Sequence, residues 1–295
     1  MRRLAQLLAA LALVLHAILA MAQQATRFPQ DYHGLWWNPA ESGWGVSVFD
    51  QGNSVLSSVI FVYGPDGNPT WYIAPHVGGC AADFVPYMSI SCGGKIYQTN
   101  GPWFASVPFT PSTVTVRDVG DWSGYFSGPL ASSTAMPREL DLTVTIDGAT
   151  LKRDKLFPQD IQGSGTLNYS PTDSKFTDLW WNPDEPGWGV GIFHYKATIF
   201  AVLFVYGPTR QPTWYVASLR ETTQVGDTTQ RSFDGPIFAT RGTWWLTSPF
   251  KLSEVRAVGT TRLTFPTDGI NASLSYTIDG HNVQTVIRRE SSAHP

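Results

Sequence analysis

Charge is scarce in this chain for its length. Asp, Glu, Lys and Arg make up 15% of the 295 residues, and the 20 basic side chains are outnumbered by 23 acidic ones. Charges of both signs are interspersed, so no basic stripe exists to track a phosphate backbone, and nucleic acid is excluded as an expected partner. Apolar runs are also few: after the first two dozen residues none is long enough to cross a membrane, and no amphipathic helical period of useful length occurs. Catalytic signatures are missing. There is no G-x-S-x-G elbow, no H-E-x-x-H and no Walker loop. The histidines beyond the leader (His33, His76, His194, His281 and His294) have no metal-ligand spacing. Neither a cofactor nor a metal site is expected.

The N-terminus reads MRRLAQLLAALALVLHAILAMAQQ. Arg2 and Arg3 form a positive n-region, Leu4 to Leu19 an apolar h-region, and Ala20-Met21-Ala22 a small-x-small cleavage site. Residues 1–22 are therefore expected to be a secretory signal peptide, with the mature chain starting near Gln23 in the periplasm or outside the cell. Without Arg2 and Arg3 the balance is 18 basic against 23 acidic residues, a net charge of −5. In an exported chain the only two cysteines, Cys80 and Cys92, are expected to pair. A loop that short gives roughly 3 kcal/mol of stabilisation. Redox work would call for a closer pair, so the bond reads as structural.

What is abundant is aromatic and repeated. Phe, Trp and Tyr supply 13% of the residues. GLWWNPAESGWG (34–45) returns as DLWWNPDEPGWG (178–189), and FVYGPDGNPTWY (61–72) as FVYGPTRQPTWY (204–215). Weaker echoes follow: Gly101-Pro102-Trp103-Phe104 with Gly235-Pro236-Ile237-Phe238, Val116-Arg117 with Val255-Arg256, and Thr145-Ile146-Asp147-Gly148 with Thr277-Ile278-Asp279-Gly280. Two homologous domains are expected at 31–157 and 177–290, joined by a Gly/Ser/Pro-rich linker over 158–176. Within each copy the period is two. Leu140, Leu142, Val144 and Ile146 alternate with polar residues, as do Leu274, Tyr276 and Ile278, and both runs end at an Asp-Gly hairpin signal. The expected fold is all-β: two tandem antiparallel domains, each an up-and-down barrel of seven or eight strands, with a β-sandwich as the alternative.

The G-L-W-W-N-P-x-E-S-G-W-G pattern, with its following aromatic and P-T-W-Y strands, resembles a repeat of secreted proteobacterial proteins and covers nearly all of both copies. That resemblance implies export and a two-copy β architecture; it carries no activity. The second copy departs from the pattern with Pro186 where the first has Ser42. Gly34-Leu35-Trp36 also resembles the opening of calycin barrels of the lipocalin and avidin type, which set a basic residue of the last strand against the Trp. Arg153, against Trp36, and Arg288, against Trp180, would take that part.

Neighbouring side chains on a strand point to opposite faces. Trp36 and Trp37 therefore cannot share one core, nor can Trp180 and Trp181. One ring of each pair is expected to plug its barrel and the other to face outward or towards a pocket. Asn38 and Asn182 open a turn with the following Pro, and Glu41 and Glu185 sit within that turn. Trp44 and Trp188 lie between glycines. The pairs Trp71-Tyr72 and Trp214-Tyr215 are expected to line the same mouth, one ring of each pair pointing there. Aromatic faces beside an amide and a carboxylate suit a sugar or a small apolar molecule. The leading expectation is an exported, non-enzymatic binding protein with two equivalent aromatic sites for a glycan or another envelope or extracellular molecule. The alternatives are a structural module that docks an envelope protein, and a hydrolase using Glu41 and Glu185 as its two carboxylates.

Overall fold

The computed structural model describes residues 32–52, 54–83, 88–128, 139–158, 175–223, 229–267 and 269–290. The expected leader and nearly all of the expected linker lie outside them. The chain forms two closed eight-stranded antiparallel barrels in simple meander order. The first contains β1 (Gly34–Trp37), β2 (Gly45–Gly52), β3 (Val55–Tyr63), β4 (Pro69–Asp83), β5 (Met88–Asn100), β6 (Thr115–Gly128), β7 (Glu139–Ile146) and β8 (Ala149–Pro158). The second contains β9 (Asp178–Trp181), β10 (Gly189–Tyr195), β11 (Thr198–Tyr206), β12 (Pro212–Glu221), β13 (Gln230–Gly242), β14 (Leu252–Pro266), β15 (Asn271–Ile278) and β16 (His281–Arg289). In each barrel the short strand that opens the copy closes the ring by pairing with the last one, Trp36 opposite Pro158 and Trp181 opposite Arg288. Closure leaves no free sheet edge, which settles the barrel against the sandwich. Among the described residues no helix is long and apolar enough to cross a membrane.

The alternating runs behave as their period demands. Leu140, Leu142, Val144 and Ile146 are all buried, as are Ala272, Leu274, Tyr276 and Ile278. Asp147-Gly148 and Asp279-Gly280 form the tight turns after them, every one of the four residues at positive φ, as a type I′ hairpin requires. Cys80 and Cys92 are bonded and join β4 to β5. In the second barrel the corresponding hairpin is clamped differently. Arg231 of β13 reaches Glu221 of β12 with two hydrogen bonds, of 2.7 and 2.6 Å.

Each core is organised around the first Trp of the motif. Trp36 and Trp180 are fully buried. Their indole N–H groups donate to the carbonyls of Tyr32 and Phe176 at 3.4 and 3.0 Å. Phe176, at the end of the expected linker, thus belongs to the second barrel, where it stacks on Phe265. The guanidinium over Trp180 is that of Arg289, 5.3 Å from the ring centre, rather than Arg288. Strand alternation turns Arg289 towards the interior, beside the carboxylate of Asp178 at 3.4 Å. Arg153 instead pairs with Glu41.

The barrels pack against one another through a pseudo-two-fold seam. Phe49 stacks on its own counterpart Phe193 at 5.8 Å, and Phe61 meets its counterpart Phe204 at 6.0 Å. Other contacts come in reciprocal pairs, the signature of an isologous interface. Trp71 donates its indole N–H to Val205 O and Trp214 to Val62 O, both at 3.0 Å. Tyr63 donates to Thr240 Oγ1 at 2.8 Å, while Tyr206 pairs with Thr99 Oγ1 at 3.0 Å.

Candidate functional site

The connection after β5 and the one after β13 are straps that each barrel lays across the other. The Gly101 and Phe104 amides donate to Arg210 O and Tyr206 O of the second barrel, and the Gly242 and Trp245 amides donate to Gly67 O and Tyr63 O of the first. The true counterpart of Gly101-Pro102-Trp103-Phe104 is therefore Gly242-Thr243-Trp244-Trp245. Gly235-Pro236-Ile237 lies inside β13 instead. The missed signal is G-x-W-[FW] followed by Pro-Phe at Pro108-Phe109 and Pro249-Phe250, with both X-Pro bonds cis. Glycine is required at the head of each strap. A Cβ on Gly101 would lie 2.2 Å from the Tyr206 ring, and one on Gly242 would lie 2.5 Å from the Tyr63 ring.

The turn of the motif is built alike in both copies. Asn38 Oδ1 accepts the Ala40 amide at 2.9 Å and Asn182 Oδ1 accepts the Asp184 amide at 3.0 Å. The amides of Glu41 and Glu185 close on the Asn38 and Asn182 carbonyls. Gly43 and Gly187 follow at φ +106° and +118° and face Leu252 and Val114 of the opposite barrel. Positive φ at both positions favours glycine and aims the next residue at the opposing strap. Trp44 meets Phe250 edge to face at 6.2 Å, and Trp188 shares a cavity wall with Phe109.

These elements create two pseudo-symmetric apolar pockets flanking the seam. One, of about 230 Å³, is walled by Trp37 and Trp44 of the first barrel and by Trp214, Phe200 and Phe238 of the second. The other, of about 240 Å³, is walled by Trp181 and Trp188 of the second barrel and by Trp71, Ile73 and Thr99 of the first. The aromatic rings anticipated in one mouth per copy are thus assembled across copies: the P-T-W-Y tryptophan of each barrel serves the motif tryptophans of the other. Trp37 and Trp181 are half-buried and present ring surface to the groove. Trp71 and Trp214 are buried, with their N–H groups committed to the seam. Tyr72 and Tyr215 point the other way, into the barrel mouths, as strand alternation requires. Burial, and then the charges of Asp147 and Asp279 respectively, raises both phenol pKa values.

The carboxylates of the two corners part company. Arg153 Nε donates to Glu41 Oε2 at 2.7 Å, with both side chains largely buried. The β16 residue at the position of Arg153 is Thr285, which accepts a hydrogen bond from Asn182 Nδ2 at 3.0 Å. No described side chain donates to Glu185. It faces a cavity of about 520 Å³ between the 101–110 strap and the mouth of the second barrel. Glu41 does not line that cavity, so the two carboxylates do not converge on one space.

No protein-family model matches this chain, and no curated protein and no solved structure matches it either.

Proposed function

We propose that the protein is an exported binding protein that holds an extended ligand, a glycan chain by class, on the two aromatic pockets beside the seam. The observation that carries this reading is the twin set of tryptophans: Trp37, Trp44 and Trp214 around one pocket, Trp181, Trp188 and Trp71 around the other. Each pocket has room for one ring, and an indole face offers the flat apolar surface on which the C–H face of a sugar stacks. Two weak sites on one rigid seam raise the avidity for a polymer without any new contact. The Cys80–Cys92 bond and the apolar leader support export.

A broad glycan array probed with the purified protein tests the reading, followed by calorimetry on any related set of glycans it finds. Trp37→Ala and Trp181→Ala should each weaken binding, and the double variant should abolish it with the melting temperature nearly unchanged. A blank array, or full binding by the double variant, overturns it. The rival reading, a module that docks an envelope protein, draws support from how many motif residues the seam consumes: Trp71, Trp214, Tyr63 and Tyr206 all serve it. Crosslinking to one protein partner together with a blank array would favour that rival. A hydrolase with paired carboxylates is less well served, because Glu41 is held by Arg153 away from the Glu185 cavity.

A further inference from the structure

The cavity at the second corner shares Trp188 with one of the twin pockets and is otherwise lined by different residues. Its walls are unusual in one respect: Glu185 and Asp184 contribute carboxylates, and among the described residues no Lys, Arg or His lines it. Amide and hydroxyl groups come from Asn182, Gln284 and Thr285, and aromatic surface from Phe104, Trp188 and Tyr276.

Three exchanges against the first barrel produce this space. Thr285 stands where Arg153 supplies the counter-ion of Glu41. Phe104 stands where the other strap carries the larger Trp245, both residues donating their amides to equivalent Tyr carbonyls. Tyr276 stands where β7 carries Val144, adding a hydroxyl to the interior. Tyr276 is only 4% exposed, and among the described residues its hydroxyl makes no hydrogen bond. The hydroxyl is not sealed off: it keeps accessible surface in the cavity wall, where water or a ligand can pair with it. Burial and the nearby Glu185 charge both raise its pKa, so it stays a donor at any ordinary pH.

We propose that this cavity binds a small ammonium-bearing, hydroxyl-rich ligand, by class an amino sugar, with the amine seated at Glu185 and ring hydroxyls at Tyr276, Asn182 and Gln284. The chemistry is complementary at each wall. An ammonium group supplies the charge that Arg153 supplies in the first barrel, in a charge-assisted hydrogen bond. The aromatic rings receive the C–H face and add cation–π attraction. The amides satisfy hydroxyls. A volume of about 520 Å³ is in the range of ordinary small-ligand sites.

Isothermal titration of the full chain with glucosamine, using N-acetylglucosamine and glucose as neutral matches, tests the site at a pH where the amine is protonated. Glucosamine should bind at least about tenfold more tightly than either neutral sugar. Glu185→Gln, nearly isosteric and on a partly exposed turn, should erase that preference. Thr285→Arg, which restores the first barrel's ion pair, should erase it too. Melting curves of both variants establish that they are folded. Equal affinity for the neutral sugars, a preference that survives in Glu185→Gln, or no detectable heat with glucosamine at millimolar concentration would each overturn the proposal. Because probe and variants differ from those for the seam pockets, either reading can fail without the other.

Discussion

The two copies of the Trp-Trp-Asn-Pro corner share a backbone and differ in what they do with their carboxylate. In the first, Glu41 is neutralised internally by Arg153; in the second, Glu185 opens onto a cavity capped by a smaller aromatic plug. The hairpins that hold the barrels differ in the same spirit. The first barrel staples β4 to β5 with a disulfide, and the second clamps β12 to β13 with the Arg231–Glu221 pair. Duplication thus preserved the groups that the backbone, the core and the seam depend on, and the Arg117–Asp147 and Arg256–Asp279 pairs besides, while the Glu41–Arg153 pair and the Cys80–Cys92 bond have no equivalent in the second copy. Trp36 and Trp180, Asn38 and Asn182, Gly43 and Gly187, and Trp71 and Trp214 belong to the preserved set.

The sharpest way to break this comparison is at the preserved core. Trp36→Ala and Trp180→Ala should each cost about 3–5 kcal/mol, read as a large loss in denaturant midpoint. The half-buried neighbours Trp37 and Trp181 should cost far less when truncated. If Trp37→Ala destabilised as much as Trp36→Ala, the division into core ring and groove ring would fail.

The next effect separates the barrels. Cys80→Ser with Cys92→Ser should remove about 3 kcal/mol from the first barrel only. Calorimetry should then show the first barrel melting ahead of the second, and a uniform downward shift of one transition would mean the seam couples the two completely. Arg153→Thr comes third. It makes the first corner like the second and leaves Glu41 without its cation, at a cost of about 1–2 kcal/mol in chemical denaturation; Thr285→Arg should cost nothing comparable.

Tyr63→Phe and Tyr206→Phe test the seam. Each removes a reciprocal hydroxyl contact and should cost about 1 kcal/mol. Tyr206→Phe should cost the more, because its hydroxyl also donates to Gly187 O. The smallest expected effect is in acid. Hydrogen bonds from Arg231, followed by one from Thr223 and the neighbouring positive charge, hold the Glu221 carboxyl below the usual range. A carboxylate with a depressed folded pKa stabilises above its unfolded pKa and loses that contribution as pH falls through the folded value. Melting of the second barrel should therefore weaken in that acid window by up to about 1 kcal/mol, and Glu221→Gln should flatten that part of the profile.

Much of this architecture was legible in the chain. The period-two runs ending at Asp147-Gly148 and Asp279-Gly280 specify hairpins, and the duplicated motifs specify two similar domains. The adjacency of Trp36 to Trp37 says that one ring is inside and one outside, because strand geometry allows nothing else. Asn38 and Asn182 signal their turns through a side chain that bonds the backbone two residues on. These are local rules with ranges of a few residues.

Other features depend on contacts between residues far apart in the chain, which no local pattern encodes. That Trp71 would donate to Val205, and that a strap beginning at Gly101 would lie against Tyr206, follows only when two closed barrels meet. The strap repeat is masked in the chain because Gly-Pro recurs inside β13, a nearer echo in spelling but not in space. By itself the sequence determined the strands, the turns, the duplication and the inside-outside sense of each Trp pair. The tertiary structure alone decided that the aromatic pockets are shared across the seam, and that one of two identically written glutamates is neutralised while the other is left facing a cavity. The physical reason is that the partner deciding each carboxylate's state, Arg153 or Thr285, sits on the closing strand of the barrel, and only closure brings that strand beside the corner.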